Sequence, residues 1–146
     1  MNDYFPVSLV IPVFNEDETI APLLKTIQEQ SFQPAEIILV DGGSTDDTVQ
    51  IIKELTGNDP KFRLIEAGRA MPGKGRNIGT QNARYPWIAY TDAGIKLDKY
   101  WLENLVTKAK ENPGSAIIYG NYTPQIDNLF DICSAISYMH GARAGT

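Results

Sequence analysis

Apolar residues in this chain come in short runs, and the runs alternate with segments of helical spacing. Val7–Pro12 reads as a buried strand. Ile20, Leu23, Leu24 and Ile27 follow at the spacing of one helix face. Glu36–Val40 is a second strand, after which Ser44 and Thr45 are placed to cap a helix carrying Val49, Ile52 and Leu55. Gly57-Asn-Asp-Pro60 ends that helix, and Phe62–Ile65 is a third strand. A glycine-rich loop and a short helix, Gly75–Ala83, lead to a fourth strand, Trp87–Tyr90. Asp98 is placed to cap a helix with Leu102, Leu105, Val106 and Ala109 inward, stopped by Asn112-Pro-Gly114. Ala116–Tyr119 is read as a fifth strand, Asp127–Met139 as a further helix and His140–Thr146 as a loop.

Strands that alternate with helices predict an α/β fold with a mostly parallel sheet, joined by right-handed crossovers and flanked by helices. Ligands in such sheets bind beyond the carboxyl ends of the strands. Pro12–Glu16, Asp41–Asp47, Gly68–Asn77 and Thr91–Gly94 fall there, and they hold most of the glycine and polar residues. The length of 146 residues fits one domain over 1–146. With 42% hydrophobic and 21% charged residues, there is enough apolar material for a core.

Charge and cysteine content narrow the function classes. The net charge is −5 and no Lys/Arg block stands out, which argues against a nucleic-acid partner. One cysteine, Cys133, allows no intrachain disulfide and fits a reducing compartment. No apolar run reaches the ~20 residues needed to span a bilayer, and Met1–Val13 does not read as a signal peptide. The expected location is the cytoplasm, with a peripheral place at the membrane as the alternative.

The four loops carry the candidate chemistry. Asp41 ends a strand ahead of Gly42-Gly43-Ser44, where a carboxylate can accept hydrogen bonds from a base or ribose. Its plain structural reading is a tight turn before a helix cap. Asp92 ends another strand before Ala93-Gly94, where it can hold a divalent cation or simply make a turn. Gly68–Lys74 has the spacing of a phosphate-binding P-loop, yet Gly75 stands where Ser or Thr must supply a hydroxyl to magnesium. Lys74, Arg76 and the backbone N–H groups of a helix start can bind an anion in either case. Asn15-Glu-Asp-Glu18 reads mainly as favourable charge at a helix start. His140 and Cys133 read as ordinary residues. Tyr85, Trp87, Tyr100 and Trp101 read as packing.

Taken together, the loops resemble the family 2 glycosyltransferases. Val10-Ile-Pro-Val-Phe-Asn-Glu16 is similar to that family's first strand and loop, and Ile37–Thr48 to its second. Gly73-Lys-Gly-Arg-Asn-Ile-Gly79 resembles the block before its metal-site strand, and Trp87–Gly94 with Trp101-Leu102 its metal-site segment. The blocks run in order from about Val7 to Leu105. The resemblance implies a Rossmann-like GT-A fold and transfer of a sugar from a nucleotide-diphosphate donor to an acceptor hydroxyl with inversion. The acceptor can be a glycan, a lipid or a small molecule. Carried over by position, Pro12 and Phe14 line the base pocket and Glu16 lies close to the nucleotide. Asp41 contacts base or ribose. Lys74, Arg76 and Asn77 belong to the donor-binding set, and Asp92 lies near the ribose, diphosphate and a Mg or Mn ion.

Two positions depart from the family pattern. Gly42 replaces the second residue of an Asp-Asp-Gly-Ser motif, removing a usual base contact. Gly94 replaces the second acid of an Asp-x-Asp metal motif, leaving Asp92 as the one candidate ligand. Either Asp92 and the diphosphate hold the metal between them, or Lys74 or Arg76 takes over part of the charge neutralisation. The family's catalytic base lies in its second half, and no residue here is nominated for it. The chain is therefore expected to be the N-terminal, donor-binding portion, with the fold incomplete at its C-terminus. A non-catalytic nucleotide-binding fragment or split-enzyme half is the alternative, ahead of a P-loop NTPase.

Overall fold

A computed structural model describes residues 5–120. Strands β1 (Val7–Val13), β2 (Glu36–Asp41), β3 (Phe62–Glu66) and β4 (Trp87–Tyr90) alternate with helices α1 (Ile20–Gln28), α2 (Thr48–Thr56) and α3 (Pro72–Asn82), and α4 (Trp101–Glu111) follows β4. The described strands form one parallel sheet in the order β3-β2-β1-β4. The α/β reading holds.

Every residue of β1 and β2 is buried. Alternation along each strand sends successive side chains to opposite faces. Leu9, Ile11 and Val13 with Ile37 and Leu39 pack against Ile20, Leu23, Leu24 and Ile27 of α1 and Ile52 of α2. Val10, Ile38 and Val40 face the other way, toward Ile78 of α3. Leu102 and Val106 of α4 pack on Val7 beside β4, with Phe5 and Trp87 in tilted ring contact at 5.3 Å. Leu105 is half-buried on the same helix.

Helix α3 sits against β1 through glycines. A Cβ on Gly79 would overlap Cγ1 of the fully buried Val10, and one on Gly75 would lie 3.1 Å from Cβ of Pro12. The helix starts at Pro72, three residues ahead of the expected Gly75. A proline at the first helical position forfeits no intrahelical bond.

Other expectations need correction. The inner face of α2 is Thr48, Ile52 and Thr56, while Leu55 is exposed. The threonine hydroxyls are satisfied locally, Thr56 donating to the Ile52 carbonyl at 2.7 Å. Polar residues can therefore face the core, and the helix turns relative to its apolar residues. Ser44 and Thr45 do not cap α2, which starts after Asp47. Asp98 acts just upstream of α4, its carboxylate accepting the Tyr100 N–H at 2.8 Å. Tyr100 is exposed rather than packed. Ala116–Tyr119 is not a strand. It makes no ladder with β4, and Ile117 and Tyr119 are exposed along a groove beside that strand. An apolar run becomes a strand only with a partner for its backbone groups. Asp127–Met139, Cys133 and His140–Thr146 lie outside the described residues.

At the amino-terminal end of the sheet, Glu36 is a buried acid. It accepts from the Ser8 hydroxyl at 2.7 Å and the Arg84 N–H at 2.6 Å, and it pairs with Arg63 at 3.3 Å. Burial alone would raise its carboxyl. The hydrogen bonds from Arg84, Ser8 and Arg63 outweigh that and hold it below the ordinary value.

Two stability predictions follow from these contacts. Gly79→Ala should lower unfolding free energy by about 2 kcal/mol, because overpacking against Val10 exceeds the usual helical gain of alanine. Urea titration showing an unchanged or raised midpoint would contradict that packing. The lowered Glu36 carboxyl contributes stability that is fully present above the unfolded-chain value and is lost as pH falls through the folded one. Melting between pH 6 and 3 should show this acid loss, and Glu36→Gln should flatten it.

Candidate donor-binding site

The four loops expected at the sheet's carboxyl edge meet there, each joined to the next. Asn15, after β1, takes a left-handed backbone (φ 52°), a conformation asparagine tolerates better than most residues. Its N–H donates to Ser44 Oγ at 2.9 Å, and its side-chain carbonyl accepts the Thr45 N–H at 2.8 Å. The Glu16 N–H donates to Thr48 Oγ1 at 2.7 Å. Asp46 ties the same pair of loops, accepting from the N–H groups of Asp17 and Thr48 at 3.3 and 3.0 Å. Desolvation would raise the Asp46 carboxyl, but the Thr48 hydroxyl and these N–H groups together hold it below the ordinary value.

The acidic stretch does not occupy the first turn of α1, which begins at Ile20 and holds no acid there. Glu16 instead accepts the N–H groups of Thr19 and Ile20 on its own carbonyl, at 3.0 and 2.8 Å, and the Thr19 hydroxyl on its carboxylate. Phe14 is 54% exposed beside this clasp, and Pro12 lies under α3.

Asp41 is the last residue of β2 and is buried. Its carboxylate accepts the N–H of Gly43 at 3.0 Å and of Ser44 at 3.2 Å, the tight-turn role anticipated as its plain reading. Gly43 has φ 92°, which favours glycine. Gly42 has its own reason. A Cβ there would sit 2.5 Å from the Ala70 carbonyl oxygen, and the Ala70 N–H donates to the Gly42 carbonyl at 3.3 Å. The loop before α3 is thus packed onto the loop after β2. Gly75, where a P-loop needs a hydroxyl, is buried against Pro12.

From the start of α3, the guanidinium Nη2 of Arg76 reaches Asp92 Oδ1 and forms an ion pair. Lys74 is exposed, its ammonium 3.5 Å from the Arg69 carbonyl, and Asn77 is exposed one residue beyond Arg76. Asp92 follows β4, is exposed, and heads a turn in which the Ile95 N–H donates to its carbonyl at 3.2 Å. Among the described residues, no group of three His, Cys, Asp or Glu side chains is placed to hold a metal ion. The one carboxylate expected to bind a cation already carries a guanidinium, so these residues do not fit a dedicated divalent-metal site.

The family model for glycosyl transferase family 2 matches residues 8–133. The chain belongs to this family. It is 30% identical over 112 residues to an uncharacterized glycosyltransferase, YibD, of Escherichia coli (strain K12), covering 77% of this chain and 33% of that protein. The chain thus spans about a third of that relative's length. Its fold matches S. aureus TarS 1–349 in complex with UDP, with a TM-score of 0.66 and 25% identity, over 83% of this chain and 38% of that one. It also matches the mannosyltransferase PcManGT of Pyrobaculum calidifontis in complex with GDP-Man and Mn2+. There the TM-score is 0.66 and the identity 27%, over 73% of this chain and 33% of that one. The described helices include none long and apolar enough to cross a membrane.

Of the residues expected at the donor site, Phe14, Glu16 and Asp92 lie on these joined loops, Lys74, Arg76 and Asn77 lie in the first turns of α3, Asp41 ends β2, and Pro12 is buried within β1 rather than lining an open pocket. Sequence reasoning did not anticipate the Asn15–Ser44–Thr45 clasp, the Glu16–Thr48 bond or the Arg76–Asp92 pair. The Gly75 and Gly79 spacing was the available signal for the last, since it marks a helix face able to approach the sheet.

Gly42→Asp tests the loop packing. Placing a carboxylate at this position should force the Ala70 carbonyl away and lower the unfolding free energy, measured by urea titration, by about 2 kcal/mol. A variant as stable as the parent would show that the two loops are not in contact.

Proposed function

We propose that this chain forms the donor half of an inverting glycosyltransferase, binding a nucleoside-diphosphate sugar across the carboxyl edge of its sheet. The observation that carries this reading is the joining of four loops at that edge in a family 2 chain. Similar structures in complex with UDP and with GDP-Man support the donor class.

In this reading the exposed Phe14 ring flanks the base, with Glu16 near the nucleotide. Asp41, buried at the end of β2, has lone pairs beyond those used by Gly43 and Ser44, and one of them would accept a base N–H or a ribose hydroxyl from a ligand seated against it. Lys74, Arg76 and Asn77 line the diphosphate side, and Asp92 lies by the ribose and diphosphate.

An acceptor hydroxyl would attack the anomeric carbon as the bond to the diphosphate oxygen breaks. The hydroxyl proton would pass to a base, and the electron pair would leave on the diphosphate from the opposite face. Cationic donors at the start of α3 would stabilise the charge gathering there. The acceptor would be a glycan, a lipid or a small molecule.

A thermal melt checks this directly. UDP or GDP at ~100 times its dissociation constant should stabilise the fold by about 2.7 kcal/mol and raise Tm by several degrees, whereas ATP should leave it unchanged. A shift with ATP accompanied by phosphate release, or no shift with either diphosphate, would contradict the reading.

A further inference from the structure

We infer that the donor diphosphate is held by Arg76 without a divalent metal, so that this chain departs from its Mn2+-containing structural relatives. The inference rests on the donor-site reading above. Similar structures hold Mn2+, including PcManGT with GDP-Man. Magnesium and similar ions beside a nucleotide use one or two carboxylates together with the phosphates. Here the second carboxylate position is Gly94. The first, Asp92, is paired with the guanidinium of Arg76. A divalent ion at Asp92 would have to displace that cation or sit beside it, and the described residues offer no cluster of acidic or imidazole groups to compensate.

The arginine is suited to the replacement. Its guanidinium carries five N–H donors in a planar fork that matches phosphate oxygens. Pairing with Asp92 uses one arm, Nη2, and leaves others to bond a diphosphate. The side chain is 37% exposed, so it is reachable from solvent, while its helix is fixed against β1 by Gly75 and Gly79. Asp92 then serves as a positioning residue that aims the fork, not as a metal ligand. Lys74, two residues earlier and exposed, adds a second positive charge at the same helix start. Nothing crowds the missing carboxylate, since a Cβ on Gly94 would meet no atom within 4 Å. The site therefore has room for a second ligand and lacks one by sequence rather than by packing.

Calorimetric titration of the full chain with UDP and with GDP, in excess EDTA and in excess MnCl2, tests this. Affinity should agree within about twofold between the two buffers. Arg76→Ala should weaken binding tenfold or more in EDTA, and Arg76→Lys should recover part of it. Circular dichroism should confirm that both variants fold. Gly94→Asp should gain a manganese-dependent tightening that the parent lacks. Binding by the parent that requires manganese would overturn the inference and leave the donor site standing. Absence of binding in both buffers, from a folded chain, would overturn the donor-site reading and this inference with it. Binding in EDTA that Arg76→Ala leaves unchanged would overturn the role of the arginine.

Discussion

The close approach of one helix to one strand sets the geometry of the whole edge. Strand β1 is the common reference. Helix α3 lies on its face because Gly79 and Gly75 present no side chains to Val10 and Pro12. Strand β4 lies at its side, held in register from Val7 to Val10. The Thr91 N–H extends that pairing to the Val10 carbonyl at 3.4 Å. Because both are referred to the same strand, the first turns of α3 and the loop after β4 meet, and Arg76 reaches Asp92. A methyl group at position 79 would push the helix outward and move the arginine with it.

A second layer of constraint acts among the loops. In a parallel sheet each strand ends in a connection that must satisfy its own polar groups. These connections do so largely through one another. Asn15 bonds with Ser44 and Thr45, Glu16 with Thr48, and Gly42 with Ala70. Polar groups placed in this way are fixed before any ligand arrives, which reduces the ordering cost of binding. The same economy explains Gly42. An acid there would offer a base contact but would also occupy the space of the Ala70 carbonyl.

Strand and helix positions were legible because apolar spacing reports period directly: β4 matches its expected bounds, and β1 and β2 differ from theirs by one residue. The inner face of α2 was not, because Thr48 and Thr56 are buried with their hydroxyls satisfied, and residue type alone would place them outside. Ala116–Tyr119 misled for the opposite reason, being apolar without a pairing partner. At the site, the gathering of four loops was legible from the alternation of strands and helices. The partners were not. That Arg76 reaches Asp92 depends on α3 docking closely on β1 through Gly75 and Gly79, a role that appears only in the packing. Glu36 reads as an ordinary strand start, and only the fold shows it as a buried acid between Ser8, Arg63 and Arg84.

In the proposed donor site, Phe14–Glu16, Asp41–Thr45, Gly68–Asn77 and Thr91–Gly94 would form one nucleotide-diphosphate surface organised around β1. Amide chemical-shift mapping of the isotope-labelled chain titrated with UDP, and separately with GDP, tests it most directly. Saturable shifts confined to those four segments are expected, with Arg76, Asn77 and Asp92 among the largest. Shifts centred instead on the groove beside β4, or at the opposite end of the sheet near Glu36, would contradict it.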